Sequence, residues 1–146
     1  MDNTILKLRE ETQAGVMDCA KAMKDAGGDI EKAKQLLMER GAAKASSKAE
    51  RKTGSGVLET YVHGGRIGVL LELRCETDFV AKNETFRELA HEIAMQIASM
   101  NPQTVDELLE QEFIKDPSQK IQDLVTQAIA TTGENMKVER FARFEL

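Results

Sequence analysis

The chain has 146 residues, of which 41% are hydrophobic and 31% charged, and its formal net charge is −5. This composition is typical of a globular protein, and the negative charge argues against a main task of coating nucleic acid. The sequence shows no apolar run near the roughly 18 residues needed to cross a bilayer, no secretion signal and no disulfide framework. We therefore expect no membrane contact and a cytoplasmic location.

The first 41 residues predict three short helices. Apolar side chains recur at helical spacing in three stretches, and residues 12–15 separate the first two of them. The Gly27-Gly28-Asp29 sequence combines a helix end with an N-cap for the third helix. Gly41 is expected to end that helix. We predict a small helical domain over residues 1–41.

Residues 42–55 differ in composition from what precedes them. They are rich in Ala, Ser and Lys and contain almost no large apolar side chain, which is typical of a linker with some helical character. Four basic residues in this stretch are suited to contacting RNA or an acidic protein surface: Lys44, Lys48, Arg51 and Lys52. Because no aromatic residues are interleaved for base stacking, a solvated linker is the favoured interpretation.

The remainder, residues 56–146, predicts an α+β core. Two stretches rich in β-forming residues, 57–63 and 66–74, are separated only by Gly64-Gly65, which matches a two-residue hairpin turn. In the second stretch the side chains at 67, 69, 71 and 73 share one face.

Three helical patterns follow the hairpin. The strongest covers residues 86–100, with Thr85 and Glu88 placed as a capping box and Asn101-Pro102 as its end. Shorter patterns cover 105–109 and 121–129, and Gly133 ends the last. An alternating segment from Met136 to the end predicts a third strand, so we expect a three-stranded antiparallel sheet packed with helices.

Groups for covalent catalysis are not found in the sequence. There is no glycine-rich phosphate loop and no nucleophile elbow. The potential metal ligands Cys19, Cys75, His63 and His91 are too few and wrongly spaced for a zinc site. These observations favour a binding module over an enzyme, without cofactor or metal.

One aromatic residue stands out. Phe79 lies at the junction between the second strand and the following helix, flanked by Asp78 and Lys82. Two interpretations are open: the ring folds back onto the core, as most Phe side chains do, or the junction presents it to a partner.

The motif around Phe79 resembles a known signature. Residues 75–83 (CETDFVAKN), together with residues 8–19 (LREETQAGVMDC), are similar to the two hallmarks of the elongation factor Ts family. The resemblance continues through Gly27-Gly28-Asp29, Gly41-Ala42, residues 133–135 (GEN) and residues 140–144 (RFARF). These motifs occur in the family's order over essentially the whole chain.

The resemblance implies a UBA-like N-terminal bundle joined to an α+β core that acts as guanine-nucleotide exchange factor for elongation factor Tu. In the family the aromatic residue of the Thr-Asp-Phe-Val motif wedges beside the nucleotide site of the GTPase. Carried over to this sequence, the partner-binding residues would be Thr77, Asp78, Phe79, Val80, His63, Asp18, Cys19, Lys21, Gly133 and Glu134.

Three departures from the family pattern are visible. Gln13 stands where the family commonly has Gly, and Ala20 separates the Asp18-Cys19 pair from the basic Lys21. The third departure is length: residues 61–70 (YVHGGRIGVL), which long members carry in a separate half of the core, here run directly into the Phe79 motif. We therefore predict a homodimer, as in short members, in which the two copies take the two roles.

Two rival functions follow from the residues alone. A ribosome- or RNA-associated adaptor would use the basic stretch at 44–52, and its RNA binding would depend steeply on salt. A peptide- or ubiquitin-like-binding UBA module would need only residues 1–41. Neither rival explains the junction at Phe79.

Overall fold

The computed structural model describes residues 2–146 and confirms an α+β fold with three N-terminal helices and a three-stranded antiparallel sheet. Its buried side chains form two separate clusters, one within the N-terminal helices and one within the rest of the chain. In chain order the elements are α1 (Asn3–Thr12), α2 (Val16–Asp25), α3 (Ile30–Lys48), β1 (Ser55–His63), β2 (Ile67–Cys75), α4 (Asp78–Ala81), α5 (Glu84–Met100), α6 (Val105–Glu110), β3 (Glu112–Phe113), β4 (Asp116–Lys120), α7 (Ile121–Thr132) and β5 (Met136–Glu145).

The N-terminal bundle forms where the sequence predicted it. Leu8, Cys19, Ala22 and Ala33 are fully buried at its centre. Asp29 caps α3 as expected, since its side chain accepts a hydrogen bond from the backbone N–H of Lys32 at 3.1 Å.

Gln13 adopts a backbone conformation that favours glycine. It ends α1 in the left-handed conformation, with φ of 57°, a geometry that costs a side-chain-bearing residue about 1 kcal/mol. Two local hydrogen bonds offset part of this strain: the backbone N–H donates to Arg9 O at 2.8 Å and the side-chain amide donates to Glu10 O at 2.9 Å.

The expected end of α3 at Gly41 is wrong. The helix continues to Lys48, and its C-terminal part packs against α7. A Cβ at Gly41 would lie 3.7 Å from Cβ of Ala130, and Ala45 packs against the core cluster. Tertiary packing overrides the roughly 1 kcal/mol penalty of a helical glycine. Much of the predicted linker is therefore helix, and the division at 41 and 55 stays a prediction.

The sheet has the order β1-β2-β5, with both pairs antiparallel. The predicted two-residue turn is wrong, because His63 pairs with Ile67 and three residues connect the strands. Gly64 and Gly65 have φ of 57° and 68°, so both glycines are used as the turn chemistry suggests. The backbone N–H of Arg66 closes the turn by donating to His63 O at 3.0 Å.

Helix α5 covers one face of the sheet and carries the predicted apolar stripe. Phe86, Ile93 and Ile97 are fully buried on it, opposite Leu71 and Leu73 of β2. The predicted capping box at Thr85 is wrong. The cap is Asn83, whose side chain accepts from the backbone N–H of Thr85 at 2.8 Å, so the helix begins at Glu84.

The C-terminal strand contains a bulge that changes which of its side chains face the core. The register shifts opposite Glu72 and Leu73, where Glu139 is an extra residue between Val138 and Arg140. Before this bulge Val138 is buried. After it Phe141 packs against the core, and Phe144 is 78% exposed. The break in the sequence alternation at Arg140 and Phe141 is this bulge.

A short hairpin between α6 and α7 was not predicted. Strands β3 and β4 have two and five residues, too short and polar to give a period-two pattern. The buried Gln96 of α5 holds the hairpin through both ends of its amide, which donates to Glu112 O at 3.0 Å and accepts from the N–H of Ile114 at 3.0 Å.

Across residues 2–146, every helix is too short or too polar to cross a membrane.

Candidate functional site

The Phe79 motif forms a tight turn at the end of β2. Thr77 caps the single-turn helix α4, its hydroxyl oxygen accepting from the backbone N–H of Val80 at 3.3 Å. Val80 and Ala81 are each 5% exposed and anchor the turn in the core, whereas Phe79 is 83% exposed. The ring therefore does not fold back onto the core, and its presentation to a partner stays a prediction.

The geometry of one helical turn explains this division. Successive residues of a helix point about 100° apart, so a four-residue helix that buries positions 80 and 81 must turn Asp78 and Phe79 towards solvent. Burying Val80 and Ala81 stabilises the turn that displays Phe79. The exposed ring is accessible to another molecule.

Glu134 ties this turn to the junction of α7 and β5. One of its carboxylate oxygens accepts from the backbone N–H groups of Glu76 and Thr77, at 3.1 and 3.0 Å. The other accepts from the Thr77 hydroxyl at 2.6 Å. Hydrogen bonds to an ionised acceptor are short and strong, so this carboxylate holds the backbone that precedes Phe79.

Asn135 and Glu76 extend the network. The backbone N–H of Asn135 donates to the Glu76 carboxylate at 2.7 Å. The side-chain amide of Asn135, which is buried, donates to Ala49 O at 3.4 Å and Arg51 O at 2.9 Å. The segment that leaves α3 is thereby joined to the Phe79 turn.

Two further contacts complete this end of the sheet. The Ser55 hydroxyl donates to the Asp78 carboxylate. The Cys75 thiol donates to Thr77 O at 3.2 Å, and burial, followed by the nearby Glu134 carboxylate, raises its pKa. A buried thiol with a raised pKa is a poor nucleophile, so the role of Cys75 here is packing.

The predicted site residues of the 133–135 motif lie beside the turn. Gly133 ends α7 in the left-handed conformation, with φ of 79°, and directs Glu134 towards Thr77. The structure thus brings Thr77, Asp78, Phe79, Val80, Gly133 and Glu134 together.

The predicted site residues of α2 lie in the N-terminal bundle. Asp18 and Lys21 are exposed, and the Asp18 carboxylate pairs with Lys44 Nζ at 3.2 Å. Cys19 is fully buried in the bundle, and burial raises the pKa of its thiol. Asp18 and Lys21 are therefore accessible to a partner, whereas Cys19 supports the helix from inside.

His63 lies at the opposite end of the sheet. It ends β1, eight residues from Ser55, which corresponds to about 26 Å at ~3.3 Å per strand residue. Its ring is exposed, and the Tyr61 hydroxyl lies 3.1 Å from its Nδ1. One copy of the chain therefore presents His63 and Phe79 at two distant ends.

Glu76 and Ser55 were not among the predicted site residues, and Asn135 was predicted only as part of the 133–135 motif, as a supporting contact with the partner. Their partners lie between 23 and 86 residues away along the chain. Local spacing carries no signal for such contacts, although the adjacency of Asn135 to Glu134 was a hint.

Neither a metal site nor an enclosed pocket accompanies these features. Across residues 2–146 no group of three or more His, Cys, Asp or Glu residues is placed to hold a metal ion. A shallow depression beside α5 is open to solvent and lined by charged side chains and His91. What the Phe79 end offers is an exposed aromatic ring on a turn fixed by hydrogen bonds.

Comparison with known proteins agrees with the motifs. A family described as "Elongation factor TS" matches residues 76–146. Elongation factor Ts of Thermodesulfovibrio yellowstonii is 40% identical, with 97% of this chain and 94% of that protein aligned. The proteins of the same name from Thermotoga petrophila and Finegoldia magna are 41% and 39% identical, again over 97% of this chain and over 94% and 87% of their own length.

The alignments also show a difference in length. They extend over 186 or 195 positions, more than the 146 residues of this chain. These relatives therefore contain internal residues that have no counterpart here.

Proposed function

The chain belongs to the elongation factor Ts family and is a translation elongation factor, and we propose that it binds the GDP-bound form of elongation factor Tu and promotes release of the nucleotide. The observation that carries this proposal is the display of Phe79, 83% exposed on a turn whose neighbours are buried. The proposed site of action is the cytoplasm. Exchange forms and breaks no covalent bond, so the proposal requires no nucleophile, cofactor or metal from this chain.

Exchange is a problem of coupled binding. A factor that weakens nucleotide binding is itself weakened by nucleotide to the same extent. A thousandfold faster release requires about 4 kcal/mol of differential stabilisation. Burial of one Phe ring supplies about 2–3 kcal/mol, so Phe79 needs additional contacts.

The accessible residues suggest how the remaining binding energy is divided. In the proposal Phe79 inserts into the GTPase and Asp78 contacts an adjacent donor of the partner. Asp18 and Lys21 on α2 form a second contact with the same partner. Thr77, Val80, Cys19 and Gly133 would act by holding these elements, since Val80 and Cys19 are buried and Thr77 is engaged in capping.

We also propose that the chain forms a homodimer through the outer face of the sheet. No helix covers this face, and it exposes Leu58, Val62, Leu70 and Phe144 at 64%, 65%, 45% and 78%. The register places these side chains side by side, because Leu70 is paired with Thr60 and Ala142, and Gly68 with Val62 and Phe144. An apolar patch of this kind on a sheet is suited to an identical patch across a two-fold axis.

The separation of His63 and Phe79 supports a second copy as the occupant. If the two-fold axis crosses the strands, the His63 end of one copy lies beside the Phe79 end of the other. Each elongation factor Tu would then meet Phe79 from one copy and His63 from its partner. A monomer would present the two residues at opposite ends of β1, which is about 26 Å long.

Release of fluorescent GDP from elongation factor Tu tests the exchange function. The wild-type chain should accelerate release, and Phe79→Ala should reduce the acceleration about 30-fold, the equivalent of about 2 kcal/mol. Ile114→Ala, which trims an exposed apolar residue of the β3–β4 hairpin, is the matched control and should retain the wild-type rate. Absence of acceleration by the wild type contradicts the function itself. Full activity of a folded Phe79→Ala protein contradicts the role of the ring.

Light scattering coupled to gel filtration tests the dimer. The wild type should have twice the mass of the chain, and Phe144→Asp should be monomeric at the same concentration because a charge would be buried in the interface. Since Phe144 is exposed in a single copy, the variant should stay folded by circular dichroism. A monomeric wild type would contradict this part of the proposal.

A further inference from the structure

Three segments that are distant in sequence meet at the 133–135 turn. They are the Phe79 turn, the connection from α3 into β1, and the turn itself between α7 and β5. The Glu134 carboxylate accepts hydrogen bonds only from the first segment, and the Asn135 side-chain amide donates only to the second.

The Glu134 carboxylate is occupied by these internal contacts. Two backbone N–H groups and one hydroxyl donate to its two oxygens, at distances between 2.6 and 3.1 Å. A partner that displaced these donors would break the contacts that hold the backbone of Glu76 and Thr77. Its chemistry therefore fits a residue that positions the turn better than one that touches the partner.

The side-chain amide of Asn135 has the corresponding role for the connection from α3 into β1. It is buried, and it donates to two carbonyls of the chain leaving α3, those of Ala49 and Arg51. Arg51 reinforces the contact, since its guanidinium donates to Gly133 O at 3.4 Å and lies 3.6 Å from the Glu76 carboxylate. Because α3 belongs to the N-terminal bundle and also packs against α7, this contact adds to that packing in fixing where the bundle stands.

We propose that the 133–135 turn is a positioning clamp that fixes the Phe79 turn relative to the N-terminal bundle. Glu134 and Asn135 are its two positioning residues: Glu134 holds the Phe79 turn, and Asn135 holds the arm that carries the bundle. The proposal rests on the exchange function proposed above, in which both parts contact one GTPase. Preorganising two contacts in one rigid body raises affinity without new contacts.

The clamp predicts different kinetic effects for its two residues. Glu134→Ala leaves the bundle in place but frees the Phe79 turn, so the maximal rate of GDP release at saturating factor should fall at least 10-fold. Asn135→Ala leaves the Phe79 turn capped but frees the arm. The concentration for half-maximal release should therefore rise at least 5-fold, with the maximal rate within twofold of the wild type.

Conservative variants separate positioning from a merely structural role. Glu134→Gln keeps an oxygen for the two backbone N–H groups and should retain at least a third of the maximal rate. Glu134→Asp is one methylene shorter and should behave like Glu134→Ala. Glu88→Ala, which removes an exposed carboxylate from α5, is the control and should leave both kinetic parameters unchanged.

Two measurements on the chain alone test the clamp without elongation factor Tu. In hydrogen exchange, Glu134→Ala should speed exchange of the Glu76, Thr77 and Val80 amides at least 10-fold, and Asn135→Ala should not. In limited trypsin digestion, Asn135→Ala should speed cleavage after Arg51 or Lys52 at least 5-fold, and Glu134→Ala should not. These readouts remain valid if the exchange function itself fails.

The outcomes decide the proposal. It is supported if the two variants affect different kinetic parameters and different segments, as described. It is overturned if a folded Glu134→Ala protein keeps the wild-type maximal rate and amide protection. It is also overturned if both variants lower the maximal rate and the apparent affinity equally, since that is the signature of general loss of stability.

Discussion

The two ends of the three-stranded sheet differ in how firmly they hold the residues that they present. At the Phe79 end, the strand termini are joined to α7 and to the chain after α3 by charge-assisted and backbone hydrogen bonds. At the His63 end, the turn of Gly64 and Gly65 is closed by one backbone hydrogen bond from Arg66. A second such bond joins the N–H of Leu146 to Arg66 O at 2.9 Å.

In the proposed exchange mechanism, this difference would suit the two ends to different roles. An aromatic ring that must enter a partner loses less entropy on binding if its turn is already fixed. A histidine beside a double-glycine turn can adjust to the surface that it meets. We therefore expect substitutions at the Phe79 end to have larger effects than comparable substitutions at the His63 end.

A pair of glycine substitutions should show the largest contrast. A Cβ at Gly56, which pairs with Arg74 near the Phe79 end, would lie 2.2 Å from the Leu73 carbonyl oxygen. Because that oxygen belongs to the backbone and cannot rotate away, Gly56→Ala should lower the free energy of unfolding by about 3 kcal/mol. Gly68→Ala, near the His63 end, meets nothing within 4 Å and should stay within about 0.5 kcal/mol of the wild type. Urea denaturation measures the free energy of unfolding of both variants, and equal values would contradict the predicted difference between the two ends of the sheet.

Mixing two impaired variants should reveal whether the ends act across a dimer. Phe79→Ala is expected to slow GDP release by the equivalent of about 2 kcal/mol in activation free energy, and His63→Ala by the equivalent of about 1 kcal/mol. If each GTPase uses Phe79 of one copy and His63 of the other, an equal mixture forms mixed dimers that each contain one intact pair. About a quarter of the wild-type sites should then be intact after subunit exchange.

The same mixture distinguishes the alternative. If both residues act from one copy, every site in the mixture lacks one of them and activity should not exceed the mean of the two variants. GDP release before and after subunit exchange is the measurement.

The hairpin turn should tolerate substitution at a smaller cost. Gly65 has φ of 68°, and a Cβ there meets no atom within 4 Å. Gly65→Ala should therefore cost only the left-handed strain, about 1 kcal/mol. Thermal unfolding checks this value, and a loss as large as that of Gly56→Ala would show that the His63 end is as constrained as the Phe79 end.

The smallest effect is expected for Tyr61→Phe. This change removes the hydroxyl beside His63 Nδ1 and leaves the half-buried ring in place. Since a partly exposed hydrogen bond contributes little, stability should change by less than about 0.5 kcal/mol. Exchange activity should change less than it does for His63→Ala. A Tyr61→Phe protein with the full defect of His63→Ala would instead show that the hydroxyl fixes the imidazole.

Much of the fold follows from patterns within a few residues. The N-cap at Asp29, the helix end at Gly133 and the buried face of β2 were all predicted, because capping and periodicity depend on local geometry. The helix end at Gly41 failed for the opposite reason: contacts with α7, almost ninety residues later, outweigh the local preference of glycine.

For the candidate site, the sequence by itself determined which residues belong to the signature and that Phe79 follows a strand. It could not determine whether the ring points inward or outward, because one residue of offset in a short helix rotates a side chain by about 100°. Burial of Val80 and Ala81 in the core decided this. Likewise, the tertiary structure alone brought Glu134 to Thr77 and Asn135 to the end of α3, because the free energy of such distant hydrogen bonds depends on a backbone that the rest of the fold has already placed.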